Sequence, residues 1–285
     1  IRAATWISDT TRNYALKKLK ATKFKIGHTK NWTDNYGSFI NDSYVSNIIN
    51  TYKYYGKTER SFIDRPLDNS LWVFAPQNVS TNTIRDLNSI EIYAAQIQPP
   101  FYDSNADDAV NYGALGCIIG HEISHGFDNL GRYYGTDGSI CNWWTAEDSM
   151  EFCKRASTLV DRFNTFIVID TIHADGEYTL DENIADLCGL EIAYTAFTKT
   201  EQWKDQTKLI DGLTPDQRFF ISYAQSMAGQ YREEAIINNT IQDNHSLNKY
   251  RVEGPLPSVD AFIRAFNIKS GDRYYLPDSL KTHIW

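Results

Sequence analysis

Apolar positions along this 285-residue chain recur mostly at helical spacing, with two short strand-like stretches in the first third. Ser8 or Asp9 can cap a first helix that runs to about Ile26, where Gly27 stops it. Residues 28–70 are polar, rich in Tyr and Asn, and follow no clear period. Leu71–Val79 and Ile90–Ile97 carry the aliphatic and aromatic content of strands, with Asn82–Asn88 as their connection and Gln98-Pro99-Pro100 as the end of the region. A second helix starts near Ser104–Asp107, places Asp107 and Asp108 at the positive end of its dipole, and runs to His125 with Gly126 just beyond. Val110, Leu115, Ile118, Ile119 and Ile123 make it strongly apolar, which predicts a buried helix. A third helix opens at Thr145, with Asp148 placed for a reciprocal capping box, and reaches about Phe163. A fourth spans about Asp181 to Phe197. A fifth starts at Thr214-Pro215, a cap followed by proline at the first helical position, and runs to about Gly229; a short sixth begins near Ser258. The pattern predicts an α+β chain, mostly helical, with a small early sheet.

Composition narrows the possibilities. With 42% hydrophobic and 22% charged residues the chain is globular. A formal charge of −8 gives no general electrostatic reason to hold nucleic acid. The longest apolar run, Gly113–Gly120, is far short of the ~20 residues of a membrane span. Cys117, Cys141, Cys153 and Cys188 form no Cys-x-x-Cys pair, so they read either as buried thiols or as two disulfides of open connectivity. Asn-x-Ser/Thr sequons at Asn31, Asn41, Asn78, Asn238 and Asn244 point toward an extracellular or cell-surface location.

The chemistry is concentrated in Gly120-His-Glu-Ile-Ser-His-Gly-Phe-Asp128. His121 and His125 are four apart on a predicted helix, so both imidazoles project from one face, as two ligands of a single ion must. Glu122 lies beside the first ligand, within reach of a water on that ion. Neutral nitrogens that hold Zn²⁺ and a carboxylate that takes a proton are the parts of zinc hydrolysis. A catalytic zinc needs a third protein ligand. Leu180-Asp-Glu-Asn-Ile-Ala-Asp186 offers Glu182 and Asp186, also four apart on a helix. One can bind the ion while the other accepts a hydrogen bond from the free ring nitrogen of a ligand histidine.

His121-Glu-Ile-Ser-His-Gly-Phe-Asp128 together with Glu182-Asn-Ile-Ala-Asp186 resembles the catalytic domain of the neprilysin and endothelin-converting enzyme family, zinc endopeptidases with a thermolysin-like core. Gln98-Pro-Pro-Phe-Tyr102, Asn111-Tyr-Gly113, Asn142-Trp-Trp-Thr145, Arg218-Phe-Phe220, Tyr231-Arg232, Asn244-His-Ser246 and Trp285 follow in family order, so the resemblance covers essentially the whole chain. It implies one Zn²⁺ held by His121, His125 and Glu182. Glu122 is then the general base and Asp186 the partner of a ligand histidine. His245 stabilises the oxyanion, and Arg251 binds a substrate carbonyl. The expected lining of the pocket beyond the scissile bond includes Phe101, Cys117, Ile118, Ser226 and Met227, which suits a hydrophobic residue after the cut.

Two departures accompany the match. The family has Asn-Ala and two aromatics on the strand that pairs with substrate, whereas this chain reads Val79-Ser80-Thr81-Asn82-Thr83, leaving Ser80 and Thr81 as the substrate-binding candidates. None of these residues resembles the family's N-terminal anchor or helical cap, which would be supplied by a missing segment or a second chain. The expected organisation is a leading helix and irregular segment over 1–70, packed on a catalytic domain over 71–285. The competing expectation is a family fragment or descendant that binds peptide or metal without turnover.

Overall fold

The computed structural model describes residues 1–29, 43–65 and 70–285. The sequons at Asn31 and Asn41 lie outside the described residues. The first helix, α1, spans Asp9–Ala21 and is capped by Ser8, whose hydroxyl accepts from the Thr11 amide. It ends earlier than the sequence pattern predicts. Lys23–Gly27 is instead a strand, β1, because Lys23-Phe-Lys-Ile alternates with period two and finds a long-range partner. Residues left unassigned in sequence include a helix, α2 (Tyr44–Arg60).

β1 pairs in parallel with β3 (Ser89–Tyr93), and β2 (Thr81–Ile84) pairs antiparallel with β3. The sheet order is β1-β3-β2, so β2 is an edge strand and β3 is buried throughout. β2 therefore occupies the stretch predicted as a connection, and Leu71–Val79 forms no strand. The Val73 and Phe74 amides donate to side chains, Glu91 Oε2 at 3.0 Å and the Tyr93 hydroxyl at 3.2 Å, instead of to a neighbouring backbone. The Trp72 ring packs tilted, and the Phe74 ring edge-on, against Tyr93. That stretch has the hydrophobicity of a strand because it packs on one, not because it is one.

The predicted second helix is present as α3 (Asp108–Asn111), a π turn over Tyr112–Gly116, and α4 (Cys117–Ser124). It is a buried helix, as predicted, and Leu115 is buried, but the isoleucines do not carry that burial. Ile118, Ile119 and Ile123 are only half-buried, while His121, Glu122, Ser124 and His125 are buried. α5 (Ala146–Asn164) buries Phe152, Ala156, Leu159 and Phe163 on one helical stripe. Thr145 caps it, but no reciprocal box forms: the Asp148 carboxylate instead accepts from the amide and hydroxyl of Ser8, tying α1 to α5. A two-stranded ribbon, β4 (Ile167–Ile169) and β5 (Ile172–His173), leads into α6 (Leu180–Phe197). After α7 (Glu201–Lys204), α8 (Pro215–Ser226) carries the predicted Thr214 cap and first-position Pro215, closes a Thr214–Gln217 capping box besides, and packs Phe219 and Phe220 on Tyr194 and Phe197 of α6. It stops three residues short of Gly229. α9 (Glu233–Gln242), α10 (Asn248–Glu253) and α11 (Asp260–Ala265) complete the chain. All four cysteines are free thiols. No described helix is long and apolar enough to cross a membrane.

The contact that positions the site is between α4 and α6. A Cβ on Gly120 would lie 2.5 Å from the Gly189 carbonyl oxygen, and one on Gly189 would lie 2.5 Å from the His121 amide. Only two glycines face to face let the backbones approach this closely. Gly189→Ala should therefore separate the helices, costing about 1–3 kcal/mol in stability and weakening metal binding together with it. Denaturant unfolding of the metal-free protein, paired with a zinc titration, measures both effects.

Candidate active site

α4 supplies His121, Glu122 and His125; α6 supplies Asp181, Glu182 and Asp186. Helical spacing puts each pair on the face turned to the other helix. His121 Nδ1 lies 2.8 Å from Asp186 Oδ1, and His125 Nδ1 lies 2.6 Å from Asp128 Oδ2. A carboxylate at Nδ1 keeps the proton there, which leaves Nε2 of each neutral ring as a lone pair. Those two Nε2 atoms are 3.0 Å apart. Glu182 Oε2 sits 3.2 Å from His121 Nε2 and 3.5 Å from His125 Nε2. It is buried and has no properly aimed hydrogen-bond donor. Three electron-rich atoms thus converge. A single cation satisfies all three, and the donor set of two imidazoles and a carboxylate is that of a catalytic zinc site.

Protonation behaviour agrees with this reading. Burial opposes charge on both rings, and on His121 so does neighbouring His125; the carboxylates nevertheless hold both rings above the usual histidine range. Burial likewise opposes ionisation of Glu182, yet the three imidazoles around it, those of His121, His125 and His245, drive its carboxyl well below the usual range. Burial opposes the charge of Asp186 too, but the Arg251 guanidinium and the bond to His121 hold it at about 2.

A second ring of groups fixes the first. Arg251 grips Asp186 with Nε at 2.8 Å and Nη2 at 2.7 Å. Arg251 reaches the cleft, but this fork is committed to Asp186. Arg85 Nη2 bonds Asp128 at 3.0 Å and lies 3.4 Å from Asp181. Asp128 Oδ1 also accepts the Leu130 and Gly131 amides. The loop that carries Asp128 is clamped from beneath by Lys18, which is buried and donates to the carbonyls of Gly126 at 2.6 Å and Gly131 at 2.8 Å. The Phe127 and Trp143 rings flank its ammonium. Desolvation pushes Lys18 down to about 8.

The cleft beside these groups encloses about 310 Å³. Ser80, Thr81, Phe101, Cys117, Ile118, Ser226 and Met227 all line it, together with Glu122, His121, Asp186, His245 and Arg251. His245 points Nε2 at Glu182 Oε2, 3.0 Å away, and rests Nδ1 on Asp243. Glu122 accepts the Thr81 hydroxyl on Oε1 at 2.6 Å and the Thr83 hydroxyl on Oε2 at 2.7 Å. Asn244 donates to Glu182 Oε1 at 3.2 Å, so its side chain contributes to the site. Sequence reasoning missed Lys18, Thr83, Arg85, Asp128 and Asn244 as contributors. Asp128, three residues after His125, and Asn244, in Asn244-His-Ser246, lay within recognised segments, and Thr83 in the strand set against the family's; Lys18 and Arg85 carried no signal.

The family model for peptidase family M13 matches residues 84–281. The chain is similar to Homo sapiens neprilysin, 31% identical over 99% of this chain and 39% of the relative. It is also similar to a Locusta migratoria endothelin-converting enzyme homolog, 33% identical over 94% of this chain and 38% of the relative. The crystal structure of Mycobacterium tuberculosis zinc metalloprotease Zmp1 in complex with inhibitor superposes with a TM-score of 0.94, at 34% identity, over 100% of this chain and 44% of that one. The chain thus spans about two-fifths of the length of the relatives it matches.

Asp128→Asn keeps the size of the side chain but loses the charge that fixes the His125 tautomer. It should weaken zinc binding about 10–100-fold. Lys18→Met, which removes the clamp on the same loop, should weaken it in the same direction by less. Competition with a fluorescent zinc chelator measures both.

Proposed function

The chain belongs to peptidase family M13, and on that premise we propose that its cleft hydrolyses peptide bonds as a zinc endopeptidase. The observation that carries the proposal is the convergence of His121 Nε2, His125 Nε2 and the buried Glu182 Oε2. His121, His125 and Glu182 would hold the ion. Bound zinc acidifies a water and polarises the carbonyl under attack. Glu122 takes the proton of that water and later passes it to the leaving amine. His245 lines the cleft at hydrogen-bonding distance from Glu182, and we assign it to the oxyanion that develops on the carbonyl. Burial lowers its pKa, but Glu182 outweighs this and holds the ring above its usual value, which favours a donor. Arg251 anchors Asp186, and through it the tautomer of His121; any contact with substrate falls to a donor outside the fork.

Peptides are the proposed substrates. Phe101, Ile118 and Met227 give the cleft an apolar wall, which supports preference for a hydrophobic residue after the cut. Edge strand β2 offers backbone for an extended peptide, with Ser80 and Thr81 at its start. We assign the parent protein to the cell surface or the extracellular space, a placement supported by the exposed sequons at Asn78 and Asn238. The alternative, a binding domain without turnover, has no use for a base like Glu122 beside the ligands.

A quenched peptide with a large apolar residue after the central bond should be cleaved by the zinc-loaded chain. Chelator should stop cleavage and added zinc restore it. Glu122→Gln should retain zinc and lose at least ~100-fold in kcat. Glu182→Gln should lose zinc itself. Zinc stoichiometry by mass spectrometry, beside the cleavage rate, separates the two classes. Full activity of Glu122→Gln refutes the assignment.

A further inference from the structure

Alternate residues of β2 face opposite ways. Asn82 turns its amide to the Tyr93 hydroxyl, 3.3 Å away, on one face. Thr81 and Thr83 share the other, toward α4. The Thr81 hydroxyl touches Glu122 Oε1 at 2.6 Å; the Thr83 hydroxyl lies 2.7 Å from Oε2 and 2.7 Å from the Glu122 carbonyl. Each carboxylate oxygen thus has its own hydroxyl within hydrogen-bonding distance. We propose that Thr81 and Thr83 are positioning residues that set the plane of the Glu122 carboxylate for proton transfer. The inference rests on the proteolytic reading of the cleft.

Four features support the assignment. The strand is rigid where it matters, because Thr81–Ile84 is in register with Ser89–Ile92 along its whole length. A β-branched side chain has a restricted χ1, so each hydroxyl is held where the backbone puts it. A carboxylate has about four lone-pair sites; one hydroxyl on each oxygen leaves a site on each for a water in the cleft. Finally, the neighbouring Ser80 hydroxyl donates to the Thr81 carbonyl, so it is not a third holder of Glu122.

Thr83 has a competing, purely structural use. The Gly126 amide bonds Ile123 instead of Glu122, and the Thr83 hydroxyl can satisfy the Glu122 carbonyl near the end of α4. Thr81 has no such second acceptor, so Thr81→Val is the cleaner variant. A hydrogen bond to a charged group is worth enough to change a rate about tenfold when its geometry is lost. The expectation is a kcat lowered about tenfold by Thr81→Val, with KM within twofold, zinc stoichiometry unchanged and metal-free stability close to the parent. Thr81→Ser, which restores the hydroxyl, should recover most of the rate. Thr81→Val/Thr83→Val should lose less than the product of the single losses, because both hold one carboxylate. A phosphonamidate analogue of the cleaved peptide gives a readout apart from turnover. Its tetrahedral oxygens meet the base in its transition-state arrangement, so Thr81→Val should bind it about tenfold more weakly.

A raised KM with unchanged kcat would make Thr81 a substrate contact and overturn the proposal, as would wild-type behaviour of Thr81→Val in both assays. If the zinc-loaded parent cleaves no peptide, the proposed function falls instead, and the phosphonamidate affinities still decide the threonine pair.

Discussion

Buried negative charge is the constraint around which this molecule is arranged. Glu122, Asp128, Asp181, Glu182 and Asp186 are all withdrawn from solvent near the α4–α6 contact. Among the described residues, Arg85 and Arg251 are the guanidinium groups that touch them. Each uncompensated buried carboxylate costs several kcal/mol, so two arginines leave a large deficit. The chain reduces it in separate ways. Asp181 is pushed toward its neutral form by burial and by the charges of Glu182 and Asp128. Glu122 takes two hydroxyl donors. Glu182 has the imidazoles and, in the proposed holoenzyme, a divalent cation. Two protonated imidazoles with their Nε2 atoms 3.0 Å apart would repel each other, so one divalent cation is the better counter-ion there.

That arrangement explains what could be read in the sequence. The two pairs spaced by four were legible because a helix converts that spacing into a shared face, and the resemblance to a known family assigned their roles. The long helices were legible for the same reason: Phe152, Ala156, Leu159 and Phe163 repeat at helical intervals along α5. The bond from His125 to Asp128 was not derivable, since a residue three beyond a ligand can turn either way after the helix ends. Arg85 lay in a stretch read as a connection. Lys18 stood among Lys17 and Lys20 on a helix whose buried stripe of Thr11, Ala15 and Lys18 is too polar to announce a core. Its two carbonyl acceptors lie more than a hundred residues away.

The misread strands share one cause. Strand pairing is non-local, so a strand is defined by a partner that the sequence does not label. β1 looked like the end of a lysine-rich helix until β3 was placed beside it, and its Lys25 meets the buried Glu91 at 2.8 Å. Leu71–Val79 looked like a strand because it is apolar, yet its Val73 and Phe74 amides are taken up by the Glu91 and Tyr93 side chains. Glu91 thus organises both errors: one carboxylate on the central strand recruits a cation from one side and irregular backbone from the other. The burial pattern of α4 has a different origin. Its aliphatic residues are displaced to half-buried positions because the fully buried face is reserved for histidine, glutamate and serine, which is how a site differs from a core.

The edge strand shows how two demands can be met by four residues. A strand presents peptide groups at its edge and side chains on its faces, and the two sets are independent. In β2 the edge away from β3 is available to an extended peptide, while one face reaches Glu122 through Thr81 and Thr83 and the other anchors Asn82 to Tyr93. Replacing the family's Asn-Ala and aromatics at this point therefore need not weaken the strand as a docking edge, because backbone pairing survives side-chain replacement. What changes is the face. Hydroxyls in place of an alanine and an aromatic bring hydrogen-bond donors to the proposed base, and the register with β3 fixes where they stand. A departure that looked in sequence like lost substrate anchoring becomes, in three dimensions, a link between the edge strand proposed to dock peptide and the proposed general base.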